Sequence, residues 1–292
     1  MVECLRGKSP VALVSAQFRL LDWVPFPIVV FAPVIEPESP EAFLTITPQE
    51  FYAQVNGSQG QLKPWIFGMT SEEGYLGLLF LRTLLGEKSL RHRWSQLAPT
   101  FLDFKYTARD PEALANKLAT LYFQEYTPKY APNSYIAQLF GDRLFLHGVF
   151  KAITLHSHVA PTFAYYFQYK GKYNAANLYG YNSDEWGVGH TEDLYYYFNS
   201  SSAYPGFKRS DREYQLSHIL TTFLTTFAKH GEPLMTTDDG RLVKVWDLVS
   251  PSHPEFLRID NDIRMIPRPM EERFALWDQG FSPAEMTDLN LM

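Results

Sequence analysis

The chain of 292 residues carries a formal charge of −6, from 26 lysines and arginines against 32 aspartates and glutamates. This acidic balance, without a basic excess or stripe, excludes a typical nucleic-acid-binding protein. Hydrophobic residues make up 46% of the chain and aromatic residues 16%, which excludes disorder as the main state and supplies a large core and the lining of an apolar pocket.

The N-terminal region predicts no membrane span and no leader. The longest apolar run, residues 27–35, is the size of a strand and far shorter than the roughly 18 residues of a spanning helix. The first residues lack the apolar stretch of a signal peptide. Cys4 is the only cysteine, so no internal disulfide forms. Asn56 and Asn199 begin N-glycosylation tripeptides, which matter only in a secreted chain.

Two runs along the chain predict strands, and two more predict helices. Residues 63–69 and 161–169 are apolar on both faces, which is typical of a parallel sheet covered by helices. Residues 111–126 and 144–159 carry apolar side chains at helical spacing. The order indicates an α/β fold, read as one domain over residues 1–292. Because few strands are predicted, we expect part of the sheet to lie outside this sequence.

A third predicted helix has the clearest boundaries. Ser210 and Glu213 match a capping box at its start. Residues 216–227 place leucines, isoleucine and phenylalanines on one face. Gly231 and Pro233 are typical signals of a helix end.

Glu73 is the first residue whose position suggests chemistry. It follows a predicted buried strand, and ligands of open α/β sheets bind at the carboxyl edge of the strands. Gly74 would let the backbone turn sharply there. Taken alone, the spacing favours a solvated acidic turn that caps the next helix.

His190 is the second residue whose position suggests chemistry. Gly187 and Gly189 precede it and give the backbone freedom, and the acids Glu192 and Asp193 follow. A histidine on such a loop can act as a general base near neutral pH. Taken alone, the sequence favours an ordinary surface histidine.

The remaining motifs predict neither a metal nor an organic cofactor. His156 and His158 form a possible ligand pair, but no third and fourth ligand follows at a suitable spacing. The G-x-S-x-G motif of serine hydrolases is absent, and residues 56–60, NGSQG, have the wrong spacing. A phosphate-binding loop and a dinucleotide fingerprint are also absent.

Five segments in a fixed order make the chain similar to the C-terminal half of the type-B carboxylesterase and cholinesterase family, which has the α/β-hydrolase fold. Each motif is short, and their common order carries the resemblance. The segments are residues 3–6 (ECLR), 31–36 (FAPVIE), 67–74 (FGMTSEEG), 187–198 (GVGHTEDLYYYF) and 225–233 (TTFAKHGEP).

The resemblance implies a role for three residues. Glu73 matches the carboxylate of the catalytic triad, which accepts a hydrogen bond from the imidazole and fixes its tautomer. His190 matches the general base that takes the proton of the nucleophilic serine. The order of acid and then histidine agrees with this fold. Asp193 matches a family acid that follows the histidine and supports it structurally.

The family's serine motif and oxyanion loop precede the segment that residues 3–6 match, and this sequence has neither. We therefore expect a partial α/β-hydrolase domain whose N-terminal half is missing, and with it the partner of Cys4. Such a chain would be inactive on its own. Its unpaired sheet edge would make it poorly soluble unless a complementing N-terminal half is supplied.

The resemblance also implies a substrate class and a location. Pro27 and Val29 fall at the family's acyl-pocket positions, where small groups suggest a roomy site for an uncharged or apolar carboxylic ester. The family is largely secreted, whereas this sequence as written would stay in the cytoplasm. A non-catalytic adhesion protein on the same fold is the alternative, although such proteins often lack triad members.

Overall fold

The computed structural model of the chain describes residues 2–55, 62–83, 86–178, 186–199, 204–237 and 239–280. Its α-helices are α1 (Val2–Arg6), α2 (Pro10–Ala16), α3 (Pro48–Val55), α4 (Tyr75–Thr83), α5 (Glu87–His92), α6 (Trp94–Phe101), α7 (Pro111–Phe123), α8 (Asn133–Gly141), α9 (His147–Ser157), α10 (Ala175–Leu178), α11 (Leu194–Tyr197), α12 (Arg212–His230) and α13 (Glu271–Gly280). A 3₁₀ turn, Gln17–Leu20, follows α2, and a π-helical turn, Asp142–Leu146, joins α8 to α9. Its strands are β1 (Trp65–Thr70), β2 (Thr162–Phe167), β3 (Leu234–Thr236), β4 (Leu242–Lys244), β5 (Glu255–Ile259) and β6 (Ile263–Pro267).

The described strands form a four-stranded sheet in the order β1-β2-β5-β6, and β3 and β4 form a separate antiparallel hairpin. β1, β2 and β5 are parallel, whereas β6 runs antiparallel to β5. The register pairs Trp65 with Thr162 and Thr70 with Phe167. The prediction of a mostly parallel sheet flanked by helices is confirmed, and both predicted strands form within a few residues of their expected bounds.

The central strand β2 is buried on both faces, which explains its apolar sequence. Phe163 and Phe167 point to one face and pack in a core with Trp246 and with residues of α12. Ala164 and Tyr166 point to the other face and pack with residues of α9 and α13. Because successive strand residues face opposite ways, a strand between two helical layers needs an apolar side chain at every position.

The described residues fall into two compact units. One is drawn from residues 2–47 and 80–132, and in it the ring of Phe26 meets that of Phe101 edge to face at 5.2 Å. The other is drawn from residues 48–79 and 133–280 and holds the whole sheet. The interpretation of the chain as one domain stays a prediction.

The predicted start of α12 is wrong, and its predicted end is confirmed. The helix begins at Arg212 after Asp211, and the capping box does not form. Glu213 instead accepts a hydrogen bond from the backbone N–H of Lys172 at 3.1 Å. At the other end Gly231 has a φ of 76°, the left-handed conformation that favours glycine at a helix end.

Two further helical predictions need correction. The helix expected over 111–126 ends at Phe123, and Leu121, one of its apolar side chains at helical spacing, is exposed. The segment 144–159 begins with the end of the π-helical turn rather than as regular α-helix. Residues 27–35 form no strand. Within the described ranges, no helix is both long and apolar enough to cross a bilayer.

Candidate active site

The turn after β1 holds Glu73 in place from two sides. The backbone N–H of Thr70 donates a hydrogen bond of 2.7 Å to Oε1 of Glu73. A Cβ on Gly74 would lie 1.7 Å from the carbonyl oxygen of Ala137 in α8. Gly74 therefore lets the turn pack against the α8 backbone, and its φ is not positive. The expected reason for this glycine, freedom to turn, is wrong, because close packing requires it.

The loop that carries His190 is bound to the same end of β1. The backbone N–H of Glu72 donates to the carbonyl oxygen of Val188 at 2.9 Å, and Glu72 and Gly189 form a parallel bridge. The loop thus continues the parallel hydrogen bonding of the sheet past the end of β1. Its backbone bonds place the histidine beside the acid.

Glu73 and His190 form a direct hydrogen bond of 2.6 Å between Oε2 and Nδ1. Because a carboxylate only accepts hydrogen bonds, Nδ1 carries the proton in the neutral imidazole, and Nε2 is then the acceptor nitrogen. The His190 side chain is 34% exposed and that of Glu73 is 11% exposed. The arrangement is a partly buried acid that orients a more accessible base, as proton transfer requires.

The π-helical turn supplies a ring against the imidazole. Phe145 lies in this turn, and its ring centre is 4.8 Å from that of His190. A π-helical turn widens the helix locally and is frequent at functional sites. The contact leaves the imidazole packed on one side, which limits its rotation away from Glu73.

The glycines beside His190 act through packing as well. A Cβ on Gly187 would lie 2.4 Å from Cγ of Glu72, and one on Gly189 would lie 3.1 Å from Oε1 of Glu192. Neither glycine has a positive φ, but Thr191 does, at 70°. The expected role of the glycines, backbone freedom, is therefore wrong.

Asp193 follows the histidine loop and directly precedes α11. It is buried, and its Oδ2 accepts a hydrogen bond of 2.6 Å from the hydroxyl of Tyr165 in β2. Burial raises the pKa of Asp193, and the Tyr165 hydrogen bond opposes this rise. The aspartate ties the loop to the central strand, and its supporting role in the site stays a prediction.

Glu192 is a buried carboxyl that the sequence assigns no role. Burial raises its pKa to about 7, against the opposing effect of hydrogen bonds from Ala175 and Asn174 and of the charge of Lys170. It lines a cavity of about 100 Å³ together with His190 and the stacked rings of Tyr75 and Trp186.

The other predicted residues lie in other segments of the chain. Pro27 and Val29 lie in an irregular segment of the other unit, with Val29 exposed, and their role in an acyl pocket stays a prediction. Asn199 is exposed, and Asn56 lies outside the described residues. Nδ1 of His156 accepts from the Tyr52 hydroxyl at 3.0 Å, and Nε2 lies 2.9 Å from the Lys63 carbonyl oxygen.

No group of three potential metal ligands occurs in the part of the chain that the structure describes. Sequence reasoning missed three contributors to the site: Phe145, Asn174 and the backbone N–H of Thr70. Only Asn174 has a signal in the sequence, because it is a polar residue within an aromatic-rich stretch. The other two depend on a π-helical turn and on a turn conformation, for which the sequence carries no known signal.

Known proteins match the chain in sequence. The profile of the carboxylesterase family matches residues 1–277. Venom carboxylesterase-6 of Apis mellifera is 26% identical over 262 residues, which cover 88% of this chain and 45% of that protein. Esterase P of Drosophila melanogaster is 30% identical, with 80% of this chain and 44% of that protein covered.

A solved structure shares the fold. The crystal structure of juvenile hormone esterase from Manduca sexta, with OTFP covalently attached, superposes with a TM-score of 0.72 at 21% identity. The match covers 94% of this chain and 51% of that one, so the chain spans about half the length of the relatives it matches. The described residues have an α/β-hydrolase architecture, and the chain belongs to the carboxylesterase family.

Proposed function

We propose that this chain supplies the acid and the base of a serine-type carboxylic ester hydrolase. The observation that carries the proposal is the 2.6 Å hydrogen bond between Glu73 and His190, with Nε2 as the acceptor nitrogen. In this role His190 takes the proton of an attacking serine and returns it to the leaving alcohol, and Glu73 stabilises the imidazolium. A paired acid and base favour this reading over a non-catalytic adhesion protein.

The nucleophile and the oxyanion donors come from outside these 292 residues, since the sequence holds no G-x-S-x-G motif. We propose that a complementing segment of the family fold brings them to the β1 side of the sheet. In the described residues, β1 pairs with β2 along one edge only. Loss of the nucleophile removes about 10⁶ from kcat in such enzymes, so the isolated chain does not hydrolyse esters at a useful rate.

The proposed substrate is an uncharged or apolar carboxylic ester. Pro27 and Val29, as small groups at the proposed acyl pocket, would admit a larger acyl chain than aromatic residues would. The proposal includes a secretory route, with Asn56 and Asn199 as acceptors of N-linked glycans. The exposure of Asn199 is compatible with this role.

A chimera tests the proposal. The part of Apis mellifera venom carboxylesterase-6 that precedes its match is joined to residues 1–292 and assayed with a short-chain nitrophenyl ester. We expect turnover that His190→Ala reduces by about 10⁶, and none from the isolated chain. The intact relative is the positive control.

Two outcomes would contradict the proposal. A folded chimera whose serine reacts with a fluorophosphonate but whose turnover is unaffected by His190→Ala would remove the base from its role. Turnover by residues 1–292 alone, abolished by His190→Ala, would show that no complementing segment is needed.

A further inference from the structure

Glu192 joins the histidine loop to a second segment of the chain. It lies two residues after His190 and is only 4% exposed. Its Oε2 accepts a hydrogen bond of 3.0 Å from Nδ2 of Asn174, and its Oε1 accepts one of 2.9 Å from the backbone N–H of Ala175. Both oxygens therefore bind the start of α10, and a buried carboxyl with two such donors is a strong anchor.

Asn174 completes the connection. It is 1% exposed, and Nδ2 also donates to the carbonyl oxygen of Gly187 at 3.2 Å. Its Oδ1 accepts from the backbone N–H of Ala176, and its own carbonyl oxygen accepts from the hydroxyl of Tyr204. One asparagine thus holds both ends of the loop, Gly187 before the histidine and Glu192 after it.

The loop conformation depends on the same carboxyl. Oε1 of Glu192 packs so closely against Gly189 that an added Cβ there would lie only 3.1 Å from it. Thr191 lies between His190 and Glu192 in the sequence and has a φ of 70°. On one side of it His190 meets Glu73, and on the other side Glu192 points into the interior. A non-glycine residue in this conformation costs of order 1 kcal/mol and persists only where its surroundings hold it.

We propose that Glu192 is a positioning residue for His190, because its bonds to Asn174 and Ala175 hold the loop that presents Nδ1 to Glu73. The proposal rests on the proposed function of the Glu73–His190 pair. Glu192 does not touch the reacting atoms and acts only through the loop. Its counterpart, Asn174, shares this role.

The test uses the full chain with ¹⁵N-labelled histidine, at a concentration where it is monomeric and at a pH above the raised pKa of about 7 of Glu192, where this carboxyl is ionised. The His190 Nδ1–H signal, identified by its absence in His190→Gln, reports directly on the bond to Glu73. In Glu192→Gln, an amide NH₂ faces Nδ2 of Asn174, donor against donor, so the link breaks without a change in volume. We expect this signal to be lost through exchange with water, and lost also in Asn174→Ala.

A matched control separates positioning from general damage. Glu213 is another buried glutamate, and it accepts from the backbone of Lys172, just before the same segment. Glu213→Gln keeps that acceptor and should leave the His190 signal unchanged. A folded Glu192→Gln or Asn174→Ala variant that keeps the signal would overturn this proposal and leave the proposed function intact. A signal absent from the unaltered chain would overturn both.

Discussion

The Glu73 carboxylate and the His190 imidazole meet at 2.6 Å, although 117 residues separate them in the sequence. Backbone hydrogen bonds, separate from the Glu73–His190 contact, hold both segments in place. Thr70 N–H fixes the acid, and the bond from Glu72 to Val188 fixes the loop of the base. The two side chains should therefore stay close when the carboxylate charge is removed. The electrostatic role of Glu73 can then be tested separately from its position.

Replacing Glu73 by glutamine should change the tautomer of His190 and leave its position unchanged. The glutamine oxygen can keep the bond from Thr70 N–H, which turns its NH₂ group toward Nδ1. Nδ1 must then accept, so the proton moves to Nε2, and the base is lost. We expect the protonated-type and unprotonated-type ¹⁵N chemical shifts to swap between the two ring nitrogens. We also expect kcat of the active chimera to fall by about 10⁴.

Glu72, the carboxyl next to Glu73 in the sequence, provides the control for the Glu73→Gln substitution. Glu72 is half-buried, and burial raises its pKa against the opposing charge of Arg273. No hydrogen bond joins it to His190 among the described contacts. Glu72→Gln should leave the tautomer as it is. An Nδ1–H tautomer that survives Glu73→Gln would show that another acceptor sets it.

Adding one methyl group at Gly74 should destabilise the chain strongly. Its Cβ would lie 1.7 Å from the Ala137 carbonyl oxygen and 2.6 Å from the Gly141 nitrogen, and backbone atoms cannot move aside as a side chain can. We expect Gly74→Ala to lower the free energy of unfolding by about 3 kcal/mol or more. Urea denaturation measures the change.

Gly148 gives the opposite result for the same substitution. It lies in α9, is exposed, and has no heavy atom within 4 Å of an added Cβ. Gly148→Ala should raise the free energy of unfolding by about 0.5–1 kcal/mol, because alanine loses less backbone entropy in a helix. Equal effects at the two positions would contradict the packing inferred for the β1–α4 turn.

The predictions from sequence succeed where a periodic pattern controls the structure. β2 is apolar at every position after Thr162 because helices cover both of its faces, and α12 ends before Gly231 because glycine readily takes the left-handed conformation of the cap. These signals are local. The pairing of Glu73 with His190 is not, and it followed from resemblance rather than from any pattern of spacing.

The errors arise where one residue has competing partners. Glu213 was expected to cap α12, but the Lys172 N–H, 41 residues away in sequence, binds it instead. Asn174 matters only because folding brings it between Gly187 and Glu192. A single sequence holds no record of such long-range choices, so tertiary contacts override the local motif.

Replacing one partner of the Asp142–Arg273 ion pair should lower the free energy of unfolding strongly, whereas neutralising both partners should lower it much less. Asp142 is fully buried, and Nε of Arg273 donates to its Oδ2 at 2.8 Å. Arg273→Met would leave a buried charge and lower the free energy of unfolding by about 3–5 kcal/mol. Asp142→Asn combined with Arg273→Met should recover a large part of that loss. Denaturant titration of the unaltered chain, the two single variants and the double variant gives the coupling, and purely additive losses would contradict a paired charge.

Glu192 should make the free energy of unfolding fall as the pH rises from 4.5 to about 7. Burial raises its pKa from 4.5 to about 7, so in this window the folded chain holds a proton that the unfolded chain has released. Rising pH then favours the unfolded state, by about 3 kcal/mol in all at roughly 1.4 kcal/mol per unit. Glu192→Gln removes this titration. Urea denaturation across the window should therefore show the variant gaining relative to the unaltered chain, and parallel curves would contradict the raised pKa.

Exposed apolar side chains on α2 should make the chain self-associate as its concentration rises. α2 has no buried residue, and Val11 and Val14 are 75% and 60% exposed. Changing both to lysine should weaken association in sedimentation velocity and leave the urea midpoint unchanged, because no buried contact is lost. Lysines at the exposed positions Thr45 and Gln49 add the same charge without removing apolar surface, and they should weaken association less. An unaltered chain that stays monomeric and unfolds cooperatively at every concentration would contradict this prediction.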